Sequence, residues 1–298
     1  MNMQLAFDGV LLGSVIALGA IGVTLTYSIM RFANFAHGEF IAWGAYLSYA
    51  IAGWWGATSQ PIGELSFGWA LIAALLASFF VTGTLSLVLD RLVFSRLRAS
   101  NTRMVVVMAS FGISLSLRSL LELLFGAQPQ YFSRDLQIAM PIIGDIRATP
   151  DQLAAIAVMI AMVIAVHFIL TRTHIGLSMR AAGENGGLAR VAGINTRVAV
   201  YATCLLGGGL AAVAGTMSGV LTQVRPQMGF ELLLSLFSAA ILGGLGSVQG
   251  AVLGGLIVGI SESLAVAWIG GEYRSAAAFI VLISVLLLRP NGIFGARA

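Results

Sequence analysis

The chain of 298 residues contains no lysine, so all sixteen of its basic side chains are arginines. The glycine-rich run 243–255 therefore cannot be a phosphate-binding P-loop, which requires a lysine. The single cysteine, Cys204, excludes a disulfide framework and a paired-thiol metal site. The three histidines have no metal-ligand spacing, and no serine-hydrolase elbow is present. These absences exclude a catalytic or metal-binding constellation, and ATP hydrolysis by this chain alone.

Charge is also scarce in this sequence. Only 9% of the residues are charged, whereas 58% are apolar and the mean hydropathy is +0.95. A soluble fold of this length could not bury so much apolar surface. Thirty-six glycines against six prolines are typical of closely packed membrane helices, in which small residues let backbones approach. The composition predicts an all-α fold, a polytopic membrane helical bundle that forms one transmembrane domain over residues 1–298.

Apolar runs of roughly 20 residues mark the membrane spans, because that length crosses the hydrocarbon core. We predict about eight or nine spans, near residues 9–30, 37–56, 66–90, 104–125, 152–171, 198–221, 230–245, 250–269 and 276–288. The first run is too long for a signal-peptide core and is predicted to be the first span. The run 230–245 is short and ends in glycines, so it is either a full span or a re-entrant half-helix. The proline-containing stretch 126–151 is predicted to be a loop with room for one short helix.

The distribution of arginines predicts the orientation. With the N-terminus outside and the C-terminus in the cytoplasm, eleven arginines are cytoplasmic and four are outside, namely Arg134, Arg147, Arg225 and Arg274. The segment 172–197 is an extended polar passage on the cytoplasmic side, with four arginines and one glutamate. No basic run with interleaved aromatics is present, so the positive charge does not indicate nucleic-acid binding.

Two interruptions break the apolar spans, one in each half of the chain. The first, residues 31–40, places Asn34, His37 and Glu39 at the entrance of a span. The second contains Gly243, Gly244, Gly246, Ser247 and Gly250. Because interrupted helices in transporters often mark the conduction route, both sets are candidates for a translocation path or gate. For the second set the alternative is helix packing, since Gly246, Gly250 and Gly254 recur every four residues. The two roles can coexist.

Ionisable side chains within the predicted spans are few. His37 and Glu39 invite a proton-relay interpretation, because such groups in a membrane are usually functional. Their position near the predicted cytoplasmic boundary favours a structural or gating role, since water and the first helical turn can satisfy both groups. Arg118 and Glu122 are one helical turn apart and are predicted to neutralise each other.

Four stretches of the sequence resemble the branched-chain amino acid ABC permease family. They are residues 34–39, residues 176–195, residues 239–250 with a Leu-Gly-Gly-Leu-Gly-Ser core, and the closing residues 289–295. Their order and the chain length are similar to those of the family's H-type subunit. The resemblance implies an inner-membrane permease that works by alternating access, in the lipid bilayer and without nucleic acid. Its implied partners are a related M-type permease, two cytoplasmic ATPases that use ATP and Mg, and an extracytoplasmic solute-binding protein. No cofactor is expected on this chain itself.

The same resemblance implies an ATPase-docking role for the segment 172–197. The candidate docking residues are Arg180, Ala181, Ala182, Gly183, Glu184, Gly193 and Ile194. Gly186 and Gly187 depart from the family's pattern, in which helix-favouring residues are common at these positions. Two adjacent glycines weaken a helix by roughly 1 kcal/mol each relative to alanine. A short or kinked docking helix is therefore expected.

The function that the resemblance implies is import of branched-chain amino acids or related small polar solutes. Similar permeases import urea or short amides, so the exact solute stays open. A stand-alone channel or an ion-coupled secondary transporter is the alternative of a different class, disfavoured because ionisable residues are scarce in the spans. A membrane enzyme is disfavoured because the sequence contains no catalytic constellation.

Overall fold

The fold is described from a computed structural model. The structure describes residues 3–55, 62–63, 65–98, 103–133, 137–143, 146–289 and 292–294. In chain order the helices are α1 (Met3–Met30), α2 (His37–Trp54), α3 (Trp69–Leu89), α4 (Ser95–Arg98), α5 (Arg103–Phe125), α6 (Pro150–Arg172), α7 (His174–Val191), α8 (Thr196–Leu221), α9 (Met228–Gly243), α10 (Val248–Trp268) and α11 (Arg274–Leu288). A π-helical turn, Asp90–Phe94, joins α3 to α4, and a 3-10 turn, Gly271–Tyr273, precedes α11.

Each predicted span corresponds to one helix of this bundle. Seven helical units are long and apolar enough to cross a membrane, when α3 to α4 is taken as one unit of 30 residues. With 16 residues, α9 is shorter than a span, in keeping with the doubt raised by its glycine-rich end. The predicted polytopic all-α membrane bundle is confirmed.

The stretch 126–151 differs from its prediction. In place of a short helix, its described residues contain a β-hairpin in which β1 (Met140–Ile143) pairs antiparallel with β2 (Ile146–Ala148). Isoleucines supply the β-branched side chains that favour strands. After the hairpin, α6 begins with a capping box, because the Thr149 hydroxyl accepts from the Gln152 N–H at 3.3 Å and the Gln152 amide oxygen accepts from the Thr149 N–H at 3.0 Å. Arg134 lies outside the described residues.

The centre of the bundle is formed by α1 and α8. In the most apolar stretch of α1, 78% of the residues are buried, and in that of α8 the buried share is 67%. The corresponding share in the helical unit that contains α11 is 6%. α1 packs most extensively along α10, and α8 packs along α3 and α2. Glycines bring these backbones together: a Cβ atom on Gly13 would lie 2.8 Å from the Cα of Leu256. By the same measure of burial, α5, α6 and α11 are peripheral helices.

Two connections of six residues fold back into the bundle, residues 31–36 between α1 and α2 and residues 222–227 between α8 and α9. α7 packs against α6, α1 and α8. α1 ends and α8 begins at the same face of the bundle as α7, and we call this face the α7 face. The α8–α9 connection leaves from the opposite face. Nevertheless, the backbones of Gly38 in α2 and Gly229 in α9 are in contact. Both helices therefore begin in the interior of the bundle.

Candidate functional site

The meeting point of α2 and α9, which we call the junction, depends on two glycines. A Cβ atom on Gly38 would lie 2.6 Å from the carbonyl oxygen of Gly229, and one on Gly229 would meet the carbonyl oxygen of Gly38. A side chain at either position would push the helices apart. Neither helix start has a side-chain cap, since Ala36 and Gln227 precede them without capping hydrogen bonds. Two positive helix ends therefore meet inside the bundle.

One face of α5 runs past the junction and bonds to both connections. It carries four polar residues at four-residue spacing, which we call the α5 stripe: Ser110, Ser114, Arg118 and Glu122. At one end, the Ser110 hydroxyl accepts from the N–H of Phe35 at 3.1 Å. At the other end, the Glu122 carboxylate accepts from the side-chain amide of Gln227 at 3.1 Å. These ends are about 18 Å apart along the helix axis. A single helix thus holds a connection from each face.

The middle of the α5 stripe contains a buried ion pair. Glu39 is 0% exposed, and its Oε1 accepts from Arg118 Nη2 at 2.9 Å. The same oxygen accepts from the Ser114 hydroxyl at 3.2 Å. The guanidinium carbon of Arg118 also lies 4.5 Å from the centroid of the Phe230 ring, a cation–π distance. Because Glu39 belongs to α2 and Phe230 to α9, Arg118 links the two interior helix starts.

The predicted pairing of Arg118 with Glu122 is wrong. Although the two residues are one helical turn apart, Arg118 pairs with Glu39 and Glu122 accepts from Gln227. An unpaired carboxylate costs much more free energy when it is fully buried, as Glu39 is, than when it is half-buried, as Glu122 is. The contact of Arg118 with Glu39 is therefore favoured over the contact with Glu122 in the same helix. Glu39 Oε2 and Arg118 Nε have no hydrogen-bond partner among the described residues.

Asn34 and His37 complete the start of α2. The Asn34 carbonyl accepts from the N–H of His37 at 3.2 Å, and its side-chain oxygen accepts from the N–H of Ala36 at 3.1 Å. His37 is buried against α1, where a Cβ atom on Gly22 would lie 2.6 Å from its Nε2. The predicted position of His37 and Glu39 at a wet boundary is therefore wrong, because the connection 31–36 carries both side chains into the interior.

The second predicted interruption, residues 243–250, forms the tight turn between α9 and α10. Gly244 and Gly246 have φ angles of 99° and 105°, which disfavour any side chain. The Ser247 hydroxyl accepts from the N–H of Gly250 at 3.0 Å and caps α10. This segment is a helix-to-helix turn and does not break a helix inside the bundle.

Close packing explains two of the three glycines predicted to share one face. The backbone of Gly250 lies against Gly243, and Gly254 lies against Ala239. For these two residues the packing prediction is confirmed. Gly246 is exposed in the turn, so the prediction is wrong there.

The two predicted path segments lie at different depths. Gly246 is near Ser28, a Cβ atom on it lying 3.8 Å from the Ser28 Cβ. Gly22, the neighbour of His37, lies six residues before Ser28 in α1. Six residues of helix correspond to a separation of about 9 Å along the helix axis.

Ile293 and Phe294, near the C-terminus, donate backbone hydrogen bonds to the carbonyls of residues 242 and 243 at 2.8 and 3.1 Å. Residues 290, 291 and 295 of the closing motif lie outside the described residues.

The structural counterpart of residues 31–36 is the connection 222–227, which was not among the predicted site segments. A signal for it exists: a glycine and a glutamate occur at the start of both following helices, as His-Gly-Glu-Phe at 37–40 and Met-Gly-Phe-Glu at 228–231. Ser110 and Ser114 were also missed. Their four-residue spacing with Arg118 and Glu122 was visible, but serines in an apolar span usually bond to their own helix.

α7 has the kink expected from Gly186 and Gly187. Asn185 has φ −151° and ψ 97°, which interrupts the helix. Its side-chain oxygen accepts from the N–H groups of Gly187 and Leu188 at 3.0 and 3.1 Å and starts a second short helical segment. That segment ends at Gly193, whose φ is 83°, with a hydrogen bond from Ile194 to the Ala189 carbonyl at 2.9 Å.

The predicted docking residues differ in exposure. Arg180, Glu184 and Gly193 are exposed, Ala181, Gly183 and Ile194 are half-buried, and Ala182 is buried. Leu188 and Val191 are also largely exposed on the second segment of α7. Large apolar side chains exposed beside charged ones are typical of a protein-contact surface. α7 therefore carries exposed apolar side chains beside the exposed Arg180 and Glu184.

Arg31 connects α7 to the α1–α2 connection. Among the described residues, it alone combines a side chain with a left-handed backbone, at φ 58°. Its guanidinium donates to the carbonyl oxygens of Gly183 and of Glu184, the latter at 3.4 Å. These carbonyls precede the kink at Asn185, where helical acceptors lose their partners. Arg31 therefore joins α7 to the connection that leads to α2.

Comparison with known proteins assigns the family. A family described as "Branched-chain amino acid transport system / permease component" matches residues 5–286. The chain is 33% identical to the high-affinity branched-chain amino acid transport system permease protein LivH of Escherichia coli (strain K12), with 98% of this chain and 95% of that protein covered. It is 30% identical to the corresponding permease protein BraD of Pseudomonas aeruginosa, with the same coverage. Among solved structures, PsaBC from Streptococcus pneumoniae in complex with Fab has a TM-score of 0.51 over 98% of this chain and 93% of its own, and at 11% identity it supports the fold alone. The chain belongs to the branched-chain amino acid transport permease family.

Proposed function

We propose that this chain is a permease subunit of an ABC importer that takes up branched-chain amino acids. Family membership supports the permease role, and the names of LivH and BraD support the solute class. The structural observation that carries the proposal is α7. It is a kinked helix beside the bundle with exposed Leu188 and Val191, and Arg31 holds its carbonyls from the connection that enters the interior.

We place the α7 face in the cytoplasm of a bacterial inner membrane, with the N-terminus of the chain outside. The positive-inside rule supports this orientation. The described arginines at the α7 face are Arg31, Arg91, Arg96, Arg98, Arg103, Arg172, Arg180, Arg190, Arg197 and Arg289. At the opposite face they are Arg147, Arg225 and Arg274.

The partners are those that membership of the permease family implies. Two cytoplasmic ATPases would use ATP and Mg²⁺ and would bind α7, with Glu184 and Arg180 as polar contacts beside Leu188 and Val191. A related M-type permease would complete the membrane part. An extracytoplasmic binding protein would deliver the solute to the opposite face.

Coupling would pass from α7 through Arg31 to the junction. When the ATPases close, α7 would move and Arg31 would displace the connection 31–36, which contains Asn34. His37 and Glu39 would then shift with the start of α2, and Arg118 would transmit the shift to Phe230 in α9. The turn at residues 243–250 would serve as a hinge at the α7 face beside Ser28. Alternating access would result from these rigid helix movements.

The test is reconstitution of the complete complex in proteoliposomes. ATP-dependent uptake of labelled leucine, isoleucine and valine is expected, with urea and acetamide far weaker. Uptake of urea or acetamide in preference to leucine would contradict the solute class. Uptake that persists without the ATPases would contradict the importer and indicate a channel or an ion-coupled transporter. A cysteine introduced at Glu184 should cross-link to an ATPase subunit, and consistent failure to do so would contradict docking on α7.

A further inference from the structure

A cavity of about 800 Å³ opens at the face opposite α7. Its walls are one side of α1, the end of α8, one side of α9, the end of α10 and the start of α11. The volume is within the range of small-molecule sites, roughly 300 to 1,000 Å³. The cavity reaches Met228, the first residue of α9, so it lies directly beside the junction.

Charges of both signs line this cavity. The Arg274 side chain is fixed by a buried carboxylate, because its Nε donates to Glu262 Oε2 at 2.8 Å and Glu262 is fully buried. Among the described residues this is the one hydrogen bond of the Arg274 side chain, so its two terminal nitrogens have no protein acceptor. Arg225 donates to Glu231 at 3.0 Å, and its buried Nε has no partner among the described residues. The cavity therefore offers guanidinium donors for an anionic group.

Asp8 supplies the opposite charge from α1. Its carboxylate accepts from the side-chain amide of Gln4 at 3.0 Å, and it has no cationic partner within 4.0 Å among the described residues. The lining also includes aliphatic side chains, among them Leu12, Val15 and Leu232. The two arginines and the two carboxylates, Asp8 and Glu231, balance in charge, so a ligand with one charge of each sign matches the lining better than an anion or an amine alone. A zwitterion with an aliphatic side chain matches all three features.

We propose that this cavity is a solute-binding site within the permease for a zwitterionic aliphatic α-amino acid. The carboxylate faces the terminal nitrogens of Arg274, the ammonium faces Asp8, and the side chain packs against Leu12 and Leu232. The solute class rests on the proposed function, whereas the location of the site rests on the cavity. Because the cavity adjoins the start of α9, occupancy would bias the junction.

The test uses the complete reconstituted complex with Ser218→Cys, a position that lines the cavity. The native Cys204 is buried and provides no competing thiol. Leucine should slow alkylation of the introduced cysteine by a small maleimide. 4-Methylpentanoate, which lacks the ammonium, and 3-methylbutylamine, which lacks the carboxylate, should each require roughly tenfold or higher concentration, the loss expected for one charged hydrogen bond.

Two variants keep the proposal falsifiable. In the Ser218→Cys background, Asp8→Asn should remove the preference for leucine over 4-methylpentanoate, and Leu12→Trp should abolish protection by filling the cavity. Leu287→Trp, on an exposed part of α11, is the matched control and should retain protection. Absence of leucine protection in a complex that takes up leucine would overturn the site and leave the proposed function intact. Protection that survives Leu12→Trp would also overturn it, whereas a complex without leucine uptake would contradict the proposed function separately.

Discussion

The starts of α2 and α9 share a backbone arrangement but differ in their electrostatic surroundings. Each follows a connection of six residues and has glycine as its second residue. The ion pairs are also equally short, 2.9 Å for Glu39 with Arg118 and 3.0 Å for Glu231 with Arg225. Burial distinguishes them, because the Glu39 side chain is 0% exposed and that of Glu231 is 50% exposed.

This difference in burial assigns different roles to the two helix starts. Removal of one partner from a buried pair leaves an uncompensated charge, whereas an exposed pair is largely replaced by water. The buried ion pair between Glu39 and Arg118 therefore fixes the start of α2 against α5. The start of α9 has a partly exposed charge pair that lines the cavity, where the proposed solute would contact it.

The largest effect on uptake is expected from a side chain at the junction itself. Gly38→Ala and Gly229→Ala each place a Cβ atom against a backbone carbonyl of the other helix, which cannot move as a flexible side chain can. Overpacking of this kind costs about 1 to 3 kcal/mol or more. We expect a lower unfolding temperature and a loss of uptake for both variants. Gly112→Ala on α5 is the control, because a Cβ there meets nothing within 4 Å; equal loss in all three variants would contradict the role of the junction.

The second effect separates the two ion pairs. Glu39→Gln should destabilise the protein by about 3 kcal/mol, because Arg118 is left buried without its carboxylate. Glu231→Gln should change stability by less than about 1 kcal/mol, since this pair is exposed. Thermal unfolding of both variants in the same detergent checks the ranking. If Glu231→Gln were the more destabilising change, burial would not be what distinguishes the two helix starts.

A third prediction concerns Arg31, which lies in the connection to α2 and donates to two carbonyls of α7. Arg31→Gly removes the guanidinium while accepting the left-handed backbone, so the fold should be retained. We expect uptake to fall several-fold while ATP hydrolysis by the complex continues. Arg190→Ala, whose Nε bonds within α7 to the carbonyl of Gly186 at 3.2 Å, should reduce uptake far less. Unchanged coupling in Arg31→Gly would contradict the transmission from α7.

The smallest effect is expected in the second segment of α7. A Cβ atom at Gly186 meets nothing within 4 Å, so Gly186→Ala creates no clash. Alanine should stabilise that short segment by up to about 1 kcal/mol. We expect uptake to change less than twofold, measured beside Arg31→Gly. A large loss would show that coupling depends on flexibility after the kink rather than on the Arg31 contact before it.

Helix positions in this chain were predictable because apolar length is a local property. The predicted span 104–125 and the observed α5, Arg103–Phe125, differ by one residue at one end. The kink in α7 was likewise predictable from Gly186 and Gly187. The family resemblance, which the comparisons confirm, was readable from local motifs for the same reason.

Depth within the bundle was not predictable in this way. His37 and Glu39 begin a helix, and nothing in the local pattern shows whether that start lies at a boundary or in the interior. The partner of Arg118 was misassigned for a related reason, since Glu122 is close in sequence whereas Glu39 is brought near only by the folding back of residues 31–36. The cavity charges Asp8 and Arg274 come from opposite ends of the chain, and sequence patterning does not join them.

Connections from opposite faces of the bundle reach one stripe on α5. Paired cysteines measure this directly, with Ser110→Cys and Phe35→Cys as one matched pair and Glu122→Cys and Gln227→Cys as the other. A mismatched pair, Ser110→Cys with Gln227→Cys, should be about 18 Å apart by the spacing along α5. We predict that a short thiol-specific cross-linker joins both matched pairs and fails on the mismatched pair. Efficient cross-linking of the mismatched pair, or failure of either matched pair, would contradict the account.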